Sequence, residues 1–172
     1  AWAFAAADHL APELLEAIAK AAEPRLHEFN AQALANTVWV FATAGHAAPV
    51  LLEAIAKAAV PRLGNFTAQA LANTAWAFAT AGHAAPALLE AIAKAAVARL
   101  GEFNAQALAN TAWAFTAADH LAPALFDSHA FVQLCAECSL APKELRQLHQ
   151  WQLWREERGA AWPPLPPALA QR

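Results

Sequence analysis

Apolar positions recur along the chain at helical spacing, most clearly from Asn30 to Ala44. Placed at about 100° per residue, Leu34, Val38 and Phe41 share one face, Ala35 and Ala42 lie on one flank, and Ala33 and Ala44 lie on the other. Gln32, Asn36, Trp39 and Thr43 stand opposite Leu34. Asn30 is suited to cap the start of this helix, and Gly45 to end it in the left-handed conformation. His46, Ala47 and Ala48 then form a turn. Pro49, tolerated in a first turn where its missing N–H is not needed, opens a second helix predicted to reach about Leu63, with Gly64 as its stop. Leu52, Ile55, Ala56, Ala59 and Leu63 make its apolar stripe. On its far side Glu53 and Lys57 form a solvated i,i+4 pair, repeated as Glu16/Lys20 and Glu90/Lys94, each contributing about 0.2–0.5 kcal/mol. Pro61 removes a hydrogen bond near the end of the helix and Ala98, at the same place one copy later, does not, so the two copies are expected to differ there.

The pattern repeats. Trp2, Trp39, Trp76 and Trp113 are each 37 residues apart, and residues 38–74 and 75–111 are identical at all but six positions. Such self-similarity predicts an all-α fold, an α-solenoid of helical hairpins. Tandem repeats are expected over residues 1–122, with boundaries near 37, 74 and 111. A degenerate capping repeat over 123–158 follows, because Leu140 falls where Phe66 sat and Leu145 where Leu71 sat. It should include a helix from Pro142 to Arg158, ended by Gly159. The Pro-rich tail, 159–172, is expected to be extended. The chain opens within a repeat, at Ala1-Trp2-Ala3-Phe4, and so reads as a piece of a longer polypeptide. In a two-layer stack the Leu/Phe face of each first helix packs on the second-helix layer, and the alanine flanks let successive first helices approach closely. The Gln/Asn/Trp/Thr stripe is left for the concave surface.

Composition narrows the ligand. A chain that is 59% hydrophobic can bury a core, while a formal charge of −3 and a pI near 6.2 give no global attraction for phosphate backbones. The uncharged run from Phe29 to Leu52 is long enough to cross a membrane, but its Asn, Gln, Thr, Gly, His and Pro residues mark two buried helices and a turn. Two cysteines, Cys135 and Cys138, are too few and too close together for a disulfide framework and suggest a reducing compartment.

The stripe Gln32/Asn36/Trp39/Thr43 recurs as Gln69/Asn73/Trp76/Thr80 and as Gln106/Asn110/Trp113. Aromatics alternating with amides suit base stacking and base-edge hydrogen bonds; equally, each Trp can pack on its neighbouring repeat and each Asn can bond to backbone carbonyls of the adjacent turn. Its uniformity predicts a repetitive target or one read with low specificity. Arg25, Arg62 and Arg99 form a second column, open to phosphate contact or to local pairing with Glu28 and Glu102 at i+3. His9, His46, His83 and His120 follow each first helix, one per repeat, which suits a role at the helix C-terminus better than a shared metal site. Cys135 and Cys138, with His129 and His149 in the neighbourhood, lack the context of a redox or zinc motif and read as buried thiols. No glycine-rich phosphate loop, nucleophile elbow or acidic pair is present, so neither catalysis nor a cofactor, metal or small-molecule substrate is expected.

The run from Leu71 to Ala79, joined to Leu88-Leu89-Glu90-Ala91-Ile92-Ala93 and Arg99-Leu100-Gly101-Glu102-Phe103, resembles the octotricopeptide and heptatricopeptide repeats of organellar RNA-binding proteins. The segment from Gln147 to Trp154, followed by Trp162-Pro163-Pro164-Leu165-Pro166, resembles the stretch before the RAP domain in relatives of the FAST kinase-like family. The resemblance covers nearly the whole chain. It implies an α-solenoid that binds single-stranded RNA and serves maturation, stability or translation of organellar transcripts in the organelle matrix, mitochondrion ahead of chloroplast. A RAP domain would lie beyond Arg172, and no kinase motif is present. A protein–protein scaffold is the alternative use of such a surface.

Overall fold

The computed structural model describes residues 12–159 and 164–170. The repeat copy around Trp2 and His9, and Trp162-Pro163 in the tail, lie outside them. The described chain is all-α, its helices packed as hairpins in repeating contacts. The order is α1 (Pro12–Ala22), α2 (Ala31–Thr43), α3 (Pro49–Ala59), α4 (Ala68–Thr80), α5 (Pro86–Ala98), α6 (Ala105–Ala117), α7 (Pro123–Phe126), α8 (His129–Glu137), α9 (Pro142–Glu157) and α10 (Pro167–Ala170). Helices α2, α4, α6 and α9 lie side by side in one layer. Helices α1, α3, α5 and α7 back it.

The starts of the first helices follow the side chains that cap them. Asn30 Oδ1 accepts from the Ala33 N–H at 2.8 Å, Thr67 Oγ1 from Ala70 at 3.1 Å and Asn104 Oδ1 from Ala107 at 2.8 Å, each satisfying a donor the helix leaves unpaired. At the far end Gly45 and Gly82 take φ near +60°, and the His46 and His83 N–H groups reach back to the carbonyls of Phe41 and Phe78 at 3.1 Å, closing a Schellman turn. The third copy has Asp119 in the glycine's place at φ 53°. Its carboxylate accepts from Trp154 Nε1 at 3.0 Å and from the Arg158 guanidinium, so the residue that departs from the repeat ties this turn to the end of α9. The Arg158 bond, then the Trp154 bond, holds the Asp119 carboxyl below the usual range.

The second helices correct one expectation. Helix α3 ends at Ala59, short of Leu63, and Val60–Asn65 is a 3-10 turn containing Pro61. Gly64 sits inside that turn with negative φ and does not act as a left-handed stop. The cause is proline, which cannot donate to the carbonyl four residues earlier. Where Ala98 replaces it, α5 continues to Ala98 and only Leu100–Glu102 is 3-10.

Between the layers lies the core of Leu34, Phe41, Leu52, Ile55 and their counterparts Leu71, Phe78, Leu89 and Ile92. Within the first-helix layer the alanine flanks are covered: Ala35, Ala72 and Ala109 are buried, as are Val40, Ala77 and Ala114 on the opposite flank. Thr74 and Thr111 are buried on that flank too, with hydroxyls that donate to the carbonyls of Ala70 and Ala107 at 2.7 Å. No buried hydroxyl is therefore left unpaired there.

Arginines staple successive hairpins. Arg62 Nη1 donates to the Phe29 carbonyl at 2.8 Å, and Arg99 Nη1 donates to the Phe66 carbonyl, each crossing to the linker of the preceding hairpin. Arg25 and Arg99 also pair locally with Glu28 and Glu102 at 2.7 and 2.8 Å. Arg62→Met is expected to lower stability by about 1.5–3 kcal/mol, the range for a hydrogen bond from a charged donor. Lys57→Ala, which removes only the exposed Glu53–Lys57 pair, is expected to cost about 0.2–0.5 kcal/mol. Urea denaturation of the two variants checks the contrast.

Beyond α6 the hairpin is shortened. Phe126 lies 5.4 Å from the Phe115 ring, 4.9 Å from Phe131 and 5.3 Å from Trp151, welding α7, α8 and α9 to α6. Arg155, 1% exposed, donates to Asp127 and lies over the rings of Trp151 and Phe126. Helix α9 ends at Glu157 with Gly159 at φ 63°, as the sequence predicts. The tail differs from the extended run predicted for it: 164–166 has no regular structure, but Pro167–Ala170 forms one helical turn. Proline is favourable at a first helical position, and Leu165 and Leu169 give the segment two buried anchors.

Candidate nucleic-acid interface

The stripe residues occupy the outward side of α2, α4 and α6, and these three helices contain no charged residue. In α2, Gln32, Asn36 and Thr43 are exposed and Trp39 is half-buried. In α4, Gln69, Asn73 and Trp76 are half-buried and Thr80 is exposed. In α6, Gln106 is exposed, Trp113 is half-buried, and Asn110 is covered to 8% exposure. The asparagine position thus becomes progressively less open toward α9.

Among the described residues the stripe's amides bond to other side-chain amides rather than to backbone carbonyls. Gln32 Nε2 donates to Asn36 Oδ1 at 3.2 Å and Gln69 Nε2 to Asn73 Oδ1 at 2.9 Å, one helical turn apart. Asn104 Nδ2 reaches Gln69 Oε1 at 3.5 Å, and Gln147 Nε2 of α9 donates to Asn110 Oδ1 at 3.3 Å, joining neighbouring helices. Gln–Asn at i,i+4 is a known helical pairing, so the first kind of rung was readable from spacing. The second needed the packing. The rings of Trp76 and Trp113 lie 6.2 Å apart, tilted by 36°, and each indole also packs against the core. Each indole is thus half-buried and packed on protein, the packing use predicted for the column.

Helix α9 carries Lys143, Gln147, Gln150 and Trp154 at the register of Gln106, Asn110, Trp113 and Ala117. The pattern changes there: Gln147 is buried, and Trp154 is tied to Asp119 and covered by Arg158 at 5.3 Å. The open part of the stripe belongs to α2, α4 and α6.

The histidines lie on a different edge. His46, His83 and His120 close the turns after the first helices, with rings 5.6–5.8 Å from Phe41, Phe78 and Phe115. Each Nε2 also lies 3.4–3.5 Å from a glutamate of the preceding hairpin, Glu16, Glu53 or Glu90. The sequence indicated the place at the helix end but not the glutamate, which is 30 residues earlier and on another helix. Hydrogen bonds from Lys57 and Lys94, with smaller contributions from His83 and His120, hold Glu53 and Glu90 below the usual carboxylate range. Between successive turns lie clefts of about 310 and 360 Å³, one lined by Gly45–Pro49 and Thr80–His83, the next by Gly82–Pro86 and Ala117–His120. They open on the turn edge, where the first meets the end of the stripe at Thr80.

Cys135 is buried and its thiol is pushed up to about 12, by burial first and Cys138 second; Cys138 is raised by burial and by Glu137 and Glu144. A raised thiol holds little thiolate, the opposite of what redox catalysis needs. Among the described residues no group of three His, Cys, Asp or Glu side chains is placed to hold a metal ion, and no helix is long and apolar enough to cross a membrane.

No protein-family model matches the chain, and no curated protein matches it significantly.

Proposed function

We propose that these hairpins form a short α-solenoid with the 37-residue period of the sequence, closed by a capping repeat over 123–158, and that its first-helix layer binds single-stranded RNA. The observation that carries this reading is the continuous stripe of amides and half-exposed indoles across α2, α4 and α6. Bases present a π-face to an indole and donor and acceptor edges to an amide, so the residue types match the ligand. Close packing supports it: first helices approach through buried alanines, which sets successive stripes side by side. Binding, with no catalytic step, is the activity proposed. The resemblance to organellar RNA-binding repeats supports placing this work on mitochondrial or plastid transcripts in the organelle matrix.

Absence of charge along α2, α4 and α6 makes this a surface for bases more than for phosphates. Binding to single-stranded homopolymers is expected to be measurable at low salt, with log affinity falling against log salt at a slope of about −1 to −2, equivalent to about one to three phosphate contacts. A neutral stripe is also what a protein–protein scaffold presents. Lack of homopolymer binding at low salt is the result that favours that second reading.

A further inference from the structure

We propose that Asn73 is held as a hydrogen-bond donor beside Trp76, and that this makes the middle copy of the stripe favour a base presenting a carbonyl, uracil over adenine. The inference rests on the RNA-binding reading above and adds to it a preference among bases. A side-chain amide can present either its oxygen or its NH2, so an unfixed asparagine serves a donor or an acceptor alike. In α4 the choice is fixed, and it is a backbone N–H that fixes it. The Ala107 N–H can only donate, so the Asn104 atom 2.8 Å from it is Oδ1 and the other end of that amide is Nδ2. Asn104 Nδ2 reaches Gln69 Oε1 at 3.5 Å, which turns Gln69 Nε2 toward Asn73, and Gln69 Nε2 donates to Asn73 Oδ1 at 2.9 Å. The oxygen of Asn73 is thereby engaged and its NH2 is left. That Nδ2 has no acceptor among the described residues and is not enclosed. Asn73 lies three residues before Trp76, its neighbour on the same side of the helix.

Asn104 does more than cap its helix. Thr67 caps α4 equally, with Oγ1 3.1 Å from the Ala70 N–H, so a helix start here needs a side-chain oxygen and no amide. What the asparagine adds is the NH2 that reaches Gln69. Thr67 has none to offer Gln32, so the same rung in α2, from Gln32 Nε2 to Asn36 Oδ1 at 3.2 Å, lacks that anchor and is free to reverse. In α6 the Asn110 oxygen is taken by Gln147, but Asn110 is only 8% exposed. The donor that is both fixed and open is therefore that of Asn73. Uracil offers its carbonyl oxygens as acceptors, whereas adenine carries an N6 amino group that a fixed donor cannot pair with. Stacking on the indole is tolerant of base type, since every base has a π-face, so a preference between the two comes from the amide at the base edge.

The test uses the full chain at low salt and measures its affinity for oligouridylate relative to oligoadenylate of equal length. The parent is expected to bind oligouridylate more tightly. Asn73→Asp keeps an oxygen for Gln69 and puts an acceptor where Nδ2 stood. Its charge weakens both strands alike, so the ratio is the readout, and it is expected to fall about 2- to 10-fold, the range for one neutral hydrogen bond. Asn104→Thr, which copies the cap of α4 and adds no charge, is expected to lower the ratio about 2-fold, because a rung free to reverse presents its donor half the time. A parent that binds oligoadenylate as tightly, or a ratio that neither variant moves, overturns this inference and leaves RNA binding standing. A parent that binds neither strand removes both readings. Should Asn73→Asp lose its helical circular dichroism, Asn73→Ala, which has no donor, is judged on the same ratio.

Discussion

Phe126→Ala is expected to lower the unfolding free energy by roughly 3–5 kcal/mol. The ring is fully buried and meets Phe115, Phe131 and Trp151, with the Arg155 guanidinium 5.9 Å from its centroid. Truncation removes apolar area and leaves a cavity among three rings that are held by different helices and cannot all close on it. It also weakens the setting of Arg155, whose buried charge depends on Asp127 and on these aromatic faces. The damage should be local, loosening the segment after α6 before the hairpins ahead of it, because each hairpin of such an array contacts only its neighbours. Urea denaturation gives the magnitude and amide hydrogen exchange gives the place. Leu153→Ala, at a 59% exposed position of α9, is the control and should stay within about 0.5 kcal/mol of the parent.

The importance of Phe126 was not legible in the sequence, whereas much of the preceding architecture was. Local chemistry fixes a first helix: a side-chain acceptor at Asn30, Thr67 or Asn104, apolar residues at helical spacing, and Gly45 or Gly82 able to turn left-handed. Those signals lie within a few residues of what they cause. Pro61 was legible as a perturbation, but its outcome, a 3-10 turn that overrides Gly64, depends on how the chain is held at Leu63 and Phe66, both buried in the core. The arginine staples were hidden because their acceptors are backbone carbonyls more than thirty residues earlier, and a carbonyl has no residue type to recognise. After Pro123 the repeat no longer supplies a template. Phe126, Phe131 and Trp151 come together through packing alone.

The stripe shows the same division. Placing Gln32, Asn36, Trp39 and Thr43 opposite Leu34 needed only helical geometry, and all four lie off the buried face. How far each later copy is covered depends on its neighbour, which is why Asn110 is buried beside Gln147 while Asn36 is exposed.

Trp76→Ala is expected to weaken binding to a single-stranded homopolymer roughly 5- to 150-fold, the equivalent of about 1–3 kcal/mol for one base–indole stack. Trp76 is chosen because it stands in the middle copy with Trp113 beside it, so a base resting on its free side has neighbours in both directions. Trp113→Ala should act similarly. The double variant should lose less than the sum, since the two rings touch and each single change already disturbs the other. Because Trp76 also packs on the core, circular dichroism must show the variant folded before its affinity is compared. Leu153→Ala, away from the stripe, should bind as the parent does.

The most direct measurement follows the indole N–H signals of the ¹⁵N-labelled chain by NMR during titration with a single-stranded homopolymer. The account predicts that Trp39, Trp76 and Trp113 shift together and saturate, while Trp151, fully buried beneath Phe126 and Phe131, stays in place. Saturable RNA binding that leaves those three signals unmoved would contradict it, as would a titration in which no indole responds.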